Sequence, residues 1–216
     1  MSYKYELSVL YIMKLFEVTN PKMSPELVKY LTKLNILDKT TISPSGKLIV
    51  DCDVAIPIPS ASFQFPFETV SGHFYCSHTK ITSLVGAPQS IGGDFACAGT
   101  KITSLAGAPQ SIGGNFYCMD TGITSLEHVP QTIGGSFRFY YTNITSLKGI
   151  HKTHRNWKVG GALHLPKGCT DIVGLALIEG INKVRINAVS FDISDHDPHS
   201  FQEKLLDAGM RAQARM

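Results

Sequence analysis

One phrase recurs through the middle of the chain, three times in full and once cut short: ITSLVGAPQSIGGDFAC at 81–97, ITSLAGAPQSIGGNFYC at 102–118, ITSLEHVPQTIGGSFRF at 123–139 and ITSLKG at 144–149. Its leucines, Leu84, Leu105, Leu126 and Leu147, are 21 residues apart each time. A fixed period of this length is typical of solenoid proteins, in which each unit buries its apolar face only against its neighbours. The repeat therefore predicts a stacked fold.

Each full unit ends in a glycine pair followed by a short alternating segment. In the segment that follows Gly93, alternation places Phe95 and Cys97 on one face and Asp94 and Ala96 on the other. Units stacked in register would form a parallel sheet with about 4.8 Å between strands. The glycine pairs are expected to free the backbone for the tight turn before each strand. The predicted fold class is a mainly β repeat solenoid, a parallel sheet of 21-residue units.

The two ends of the chain carry helical patterns. Residues 3–17 are spaced as an amphipathic helix, and Ser24-Pro25-Glu26 is typical of a helix start, which predicts a second helix to about Leu34. The segment 200–203, SFQE, matches a capping box and predicts a last helix to about Arg211, with Phe201, Leu205 and Ala208 facing the solenoid.

These patterns divide the chain into a helical N-terminal cap over 1–45, a solenoid over 46–190 and a C-terminal capping helix over 191–216. Lys47–Val50 is interpreted as a degenerate first copy of the glycine–x–aromatic–x–Cys strand, and one more divergent unit from Cys169 to Ile186 is expected to end in the last strand, at Val184-Arg185-Ile186. Terminal units of a solenoid need caps to cover their apolar ends. A partner-binding role for the N-terminal helices stays open as an alternative.

Composition limits the classes of function. Hydrophobic residues make up 43% and charged residues 17%, which argues against disorder, and a net charge of +3 without a basic stripe gives no indication of nucleic acid. The sequence has no apolar run of 18 residues and no secretory pattern at its start, and its five cysteines form no CxxC pair. We expect a reduced, cytoplasmic protein without a membrane partner.

The stretch from Phe95 to Leu105 resembles the leucine-rich repeat, with Phe95, Cys97, Ile102 and Leu105 at its leucine positions and Thr100 where that family has asparagine. It is similar to the short repeats of secreted bacterial effectors. The full phrase ITSLxGAPxxIGGxFxC resembles still more the uncharacterised repeat proteins of large tailed phages. The resemblance covers roughly 46–150 and implies the fold, a phage protein and a bacterial host cytoplasm. A threonine hydroxyl is expected to replace the family's asparagine ladder.

Two clusters have a chemical and a plain interpretation. Cys76, Cys97 and Cys118 form a column that suggests a metal or redox site, but they share the phase of the core phenylalanines and are interpreted as buried thiols. The segment 192–199 contains Asp192, Asp195, His196, Asp197 and His199, which could ligate a metal. It also directly precedes a helix, where acidic residues are favoured anyway, so no metal and no cofactor are predicted.

The outward positions of the strands vary freely while the inward positions barely change. Tyrosine, methionine and arginine are frequent among them, as in protein interfaces. We therefore expect a non-catalytic module that binds a protein partner, with a virion component docking on capsid or tail as the alternative and an enzyme based on the 192–199 cluster as a third hypothesis. The predicted partner-binding residues are His73, Tyr75, Asp94, Asn115, Tyr117, Met119, Arg138, Tyr140 and His164.

Overall fold

The computed structural model describes residues 23–215, and the helix predicted over 3–17 lies outside them. Within this range the chain winds into a mainly β solenoid of about seven turns, each close to 21 residues long, with three short α-helices. The predicted fold class is confirmed. Two ladders of short parallel strands run the length of the stack and meet in β12 (Lys158–His164), which takes part in both.

We call the first the phenylalanine ladder, because a buried phenylalanine opens most of its strands. It runs through β3 (Val54–Ala55), β5 (Phe74–Tyr75), β7 (Phe95–Ala96), β9 (Phe116–Tyr117) and β11 (Phe137–Arg138), and then through the second half of β12 and through β13 (Ile181–Ile186). Every pairing is parallel and in register, so that residues of the same repeat position lie side by side.

The second, the isoleucine ladder, lies just before each glycine pair. It runs through β2 (Leu48–Val50), β4 (Phe67–Val70), β6 (Ser90–Ile91), β8 (Ser111–Ile112) and β10 (Thr132–Ile133), and then through the first half of β12. The assignment of Lys47–Val50 to the phenylalanine strands was therefore wrong. The equivalent first strand is β3, which pairs with β5, and its unit is 20 residues long.

The glycine pairs join the two ladders, and close packing explains them better than backbone dihedral angles do. None of Gly92, Gly93, Gly113 or Gly114 has a positive φ, contrary to the expected role in a tight turn. Instead, a Cβ on Gly113 would lie 2.1 Å from the carbonyl oxygen of Gly92 in the preceding turn. The same contact recurs at every full repeat, so this corner has room for a hydrogen atom and for nothing larger.

Between the ladders lies one continuous core. The predicted columns of isoleucine, leucine, phenylalanine and cysteine are all buried. Phe95, Phe116 and Phe137 stack almost parallel, with ring centroids 5.2 Å and 4.7 Å apart. Identical residues therefore pack on each other from turn to turn, which accounts for the invariance of the phrase.

The repeat threonines do not form the expected ladder between turns. Thr79, Thr100, Thr121 and Thr142 each donate a hydrogen bond to the carbonyl oxygen three residues earlier, at 2.7–2.8 Å. Each hydroxyl therefore closes a turn within its own unit and makes no bond to the next one.

Capping elements cover the two ends. At the N-terminal end α1 (Pro25–Lys33) is capped by Ser24 as predicted and buries Leu27 and Leu31, and β1 (Thr40–Ile42) pairs antiparallel with β2.

The next helix, α2 (Ile150–Thr153), lies within the stack and belongs to a unit lengthened to 26 residues. Single turns of 3-10 helix cover Leu37–Lys39 and Val173–Leu177.

The C-terminal end differs from the prediction in detail. β13 turns back into an unpredicted antiparallel strand, β14 (Val189–Asp192), through Asn187 and Ala188, both with positive φ. The last helix, α3 (Pro198–Asp207), begins after Asp197, whose carboxylate accepts from the backbone N–H of His199. Phe201 and Leu205 are buried as predicted, whereas Ala208 lies beyond the helix and is exposed.

Candidate functional site

The outward side of the phenylalanine ladder, here called the outer face, is the surface on which the repeats differ. Its central row has one residue from each strand, and neighbours in the row are joined by the strand register. Seven strands about 4.8 Å apart give the row a length of roughly 29 Å. The row reads Ala55, Tyr75, Ala96, Tyr117, Arg138, His164 and Arg185.

The middle of the outer face is a shallow recess. Ala96 is only 9% exposed and Ala98 only 8%, although both point outward, because larger side chains stand on both sides. In the row, Ala96 lies between Tyr75 and Tyr117. The ring of His73 stacks on that of Tyr75, with centroids 5.5 Å apart, which holds the tyrosine in place.

Towards the C-terminal end the outer face becomes basic. The guanidinium carbon of Arg138 lies 5.1 Å from the centroid of the Tyr117 ring, a cation–π arrangement. Burial lowers the pKa of His164, and the positive charges of Arg138 and Arg185 on the neighbouring strands lower it further. His164 therefore favours the neutral imidazole between two permanent cations.

A cleft of about 340 Å³ opens beside this basic end. The rings of Tyr140 and Tyr141 meet edge to face in it, at 5.2 Å, and Tyr141 is 78% exposed. The lining is aromatic, basic and polar and contains no carboxylate: Tyr140, Tyr141, His164, Leu165, Lys167, Arg185, Asn187 and Ala188. We call it the basic cleft.

Three predicted site residues lie instead in a structural column at the corner between the ladders. Asp94 Oδ1 accepts a hydrogen bond from the backbone N–H of Asn115 at 2.6 Å, and Asn115 Oδ1 accepts from that of Ser136 at 2.9 Å. The backbone N–H of Asp94 in turn donates to His73 Nδ1 at 2.8 Å. The whole acceptor column consists of Asp53, His73, Asp94, Asn115 and Ser136, each serving the next turn.

The nine predicted residues thus separate into three groups. Four lie in the central row: Tyr75, Tyr117, Arg138 and His164. Two are half-buried and lie two positions after a residue of the central row: Met119 after Tyr117, and Tyr140 after Arg138. Three belong to the acceptor column: His73, Asp94 and Asn115. Whether any of them contacts a partner stays a prediction.

The prediction missed the residues that complete the basic cleft. Arg185 extends the central row by one strand. Alternation in Val184-Arg185-Ile186 puts Arg185 between two apolar residues, so its outward position could have been predicted from the sequence. Lys167 and Tyr141 lie outside the strands, and Tyr141 has a φ of +57°. Residues in such turns cannot be assigned to a face by alternation.

The cysteine column lies in the core. Burial raises the pKa of Cys76 to about 12 and raises the pKa of Cys97 and of Cys118 well above the usual value for a thiol. These thiols are protonated and shielded at neutral pH, which suits a packing role and not nucleophilic chemistry.

The acidic side chains just before α3 are engaged in hydrogen bonds with residues of the same segment and of the helix. Asp195 Oδ2 accepts from Ser200 Oγ at 2.7 Å and from Lys204 Nζ at 3.1 Å, and these hydrogen bonds, with that of Ser200 first, lower the pKa of Asp195 to about 2. Asp192 accepts from the backbone and hydroxyl of Ser194, and Asp197 caps the helix. Within residues 23–215, no three His, Cys, Asp or Glu side chains come together as a metal site would require.

Comparisons with protein-family models, with curated proteins and with solved structures found no match. Among the helices of the described part of the chain, none combines the length and the apolarity that crossing a membrane requires.

Proposed function

We propose that this chain is a non-catalytic binding module that presents its outer face to a protein partner. The observation that carries the proposal is the contrast between the two sides of one ladder. Phenylalanine occupies the inward position in four consecutive strands, while the outward position changes from Tyr75 to Ala96, Tyr117 and Arg138. The stacking of the turns explains the constant inward phenylalanines, but it does not explain which residues stand at the outward positions.

The chemistry of the outer face supports binding. Tyrosine and arginine are the residue types that contribute most to protein interfaces, and a recess between two tyrosines can receive a side chain. Tyr75 is 39% exposed, and Tyr117 is held by Arg138, so both rings offer contact area at little entropic cost.

The resemblance of the repeat phrase to leucine-rich repeats, and above all to repeat proteins of tailed phages, supports a narrower version of this proposal. In that version the protein is made by a phage in the bacterial cytoplasm and binds a host factor. The alternative is a virion component that docks on capsid or tail. Mass spectrometry of purified particles distinguishes the two, because a virion component is present in them and a free effector is not.

Affinity capture from host lysate tests the use of the outer face. The variant is Tyr117→Ala combined with Tyr140→Ala, and the control is Gln110→Ala combined with Gln131→Ala, two exposed residues next to the isoleucine ladder. We expect the tyrosine variant to lose at least one protein that the wild type and the control retain. If a folded tyrosine variant retains every partner, the proposal is wrong.

A further inference from the structure

We propose that the basic cleft binds an acidic protein segment, a short run of aspartate or glutamate residues on the partner. This inference rests on the proposed function, since it names the chemistry of what the outer face takes. It begins from a cluster of basic side chains, three of which are permanent cations. Arg138, His164 and Arg185 occupy the same position of three adjacent strands, and Lys167 lines the same cleft as His164 and Arg185.

Within the described part of the chain, the cations of this cluster have no anionic partner. None of the ion pairs found in residues 23–215 involves Arg138, Lys167 or Arg185. By contrast, Lys204 on α3 is paired with Asp195 at 3.1 Å. Unpaired positive charges side by side are unfavourable to the isolated fold, and Arg138 and Arg185 both stand on the strands next to His164. A bound carboxylate would relieve their repulsion.

The cleft also offers what a peptide needs beyond charge. Tyr141 is 78% exposed and stands edge to face against Tyr140, so the pair gives an aromatic wall with hydroxyl groups. The turn that follows Arg185 adds Asn187 and Ala188 to the lining, so the cleft also offers an amide side chain. Arginine can hold a carboxylate through two parallel hydrogen bonds.

The extent of the charge favours an acidic peptide over a nucleic acid. Arg138, His164 and Arg185 lie on three neighbouring strands and cover about 10 Å, with Lys167 in the adjoining cleft, which is enough for two or three carboxylates. Single-stranded nucleic acids need a longer groove, about 4 to 16 nucleotides per site. The acceptor column beside the outer face also contains Asp53 and Asp94, whose negative charges would repel a nucleic-acid backbone that continued along the stack.

A second copy of this chain is a weaker candidate for the occupant. The outer face is about 29 Å long and only about two side chains wide, so the area that it could bury falls short of the roughly 800 Å² per partner of a stable dimer.

Fluorescence anisotropy with a labelled pentaglutamate peptide tests the inference. Pentaglutamine and oligothymidylate of ten nucleotides serve as comparison probes, at 50 mM and 300 mM NaCl. The variant is Lys167→Gln combined with Arg185→Gln. The control is Lys80→Gln combined with Lys101→Gln, two exposed lysines in the repeat phrase that carry the same total charge.

We expect pentaglutamate to bind the wild type and the control alike, to bind the cleft variant about tenfold more weakly, and to weaken with salt. Pentaglutamine should not bind. Circular dichroism and thermal melting check that both variants fold. Lys167→Gln combined with Arg185→Lys should bind pentaglutamate more tightly than the cleft variant, because it keeps the positive charge at position 185.

Three results would overturn the inference. Equal binding of pentaglutamate by wild type and cleft variant would place the acidic peptide elsewhere. Tighter binding of oligothymidylate, lost in the same variant, would assign the cleft to nucleic acid. Self-association abolished by the variant, measured by sedimentation, would assign it to a second copy. If host partners still depend on Tyr117 and Tyr140 in any of these cases, the proposed function stands while the acidic ligand is rejected.

Discussion

Gly113 is one of the positions where successive turns leave no room for a Cβ atom, and we expect Gly113→Ala to destabilise the protein strongly. The new Cβ would lie 2.1 Å from the carbonyl oxygen of Gly92, where contacts below 3.0 Å are essentially never seen. One strand must therefore withdraw by about 1 Å relative to its neighbour. That movement lengthens the backbone hydrogen bonds from Gly113 to Ile91 and from Gly114 to Gly93, now 2.8 Å and 2.9 Å long.

The cost follows from these two effects. Overpacking a dense region costs about 1–3 kcal/mol, and each weakened hydrogen bond about 0.5–1.5 kcal/mol. The expected loss is about 2–6 kcal/mol, a large share of the 5–15 kcal/mol typical of a folded domain. Urea unfolding measures it, followed by the fluorescence of Trp157, the single tryptophan, which is buried against Phe137.

Gly168→Ala is the matched control. Its Cβ would meet no atom within 4 Å, and its backbone is not left-handed, so the free energy of unfolding should change by less than about 1 kcal/mol and in the stabilising direction. A loss below about 1 kcal/mol for Gly113→Ala, with an unchanged dependence on urea, would refute the close-packing explanation of the glycine pairs.

Three further predictions concern the acceptor column, the thiols and the basic end of the outer face. Asp94→Ala should cost about 1–3 kcal/mol because the N–H of Asn115 loses its acceptor, whereas Asp94→Asn keeps a carbonyl oxygen there and should cost less, as urea unfolding will show. A thiol reagent should label the half-buried Cys52 of the native protein well before the four buried cysteines, and Cys52→Ser should abolish this early labelling. Because the folded state lowers the pKa of His164, the unfolded chain takes up the proton first, so the melting temperature should fall more steeply below about pH 6.5 in the wild type than in His164→Asn.

Each of these has a result that would contradict it. Equal losses for the two Asp94 variants would mean that the carboxylate charge, and not the acceptor, matters. Early labelling of a core cysteine in a native protein would show that the column opens readily. Parallel melting curves for wild type and His164→Asn between pH 7.5 and pH 5 would mean that the folded state does not lower the pKa of His164.

The core was predictable because a fixed repeat period identifies equivalent residues even when the path of the backbone is not known. Once Leu84 and Leu105 are recognised as equivalent, the residues around them are equivalent too, and their burial follows from their apolarity. The same logic failed at Lys47–Val50, where the unit has no glycine pair to align. The 20-residue interval from Asp53 to His73 was the better guide to the first turn.

The candidate site was only partly predictable, because alternation describes straight strands. At Asp94 the chain has just passed the glycine corner, and its side chain points along the stack to the next N–H instead of outward to solvent. At Tyr141 and Ala188 the backbone is left-handed, so no face can be assigned from spacing. The central row of the outer face lies between these two irregular places, and there alternation and strand register put Tyr75, Tyr117, Arg138 and His164 in one row, while their contact with a partner stays a prediction.

The contact between the turns is the same at each full repeat, which makes the length of the molecule an adjustable quantity. Each turn meets its predecessor through the same glycine corner, acceptor bond, ladder hydrogen bonds and stacked core side chains, so a copied segment such as 94–114 would find its place without new chemistry. Duplication of that segment in the gene would add about 4.8 Å to the reach of the protein and leave both caps untouched. The middle of the chain can thus gain or lose whole turns during evolution, while the outward side chains of each turn are free to vary.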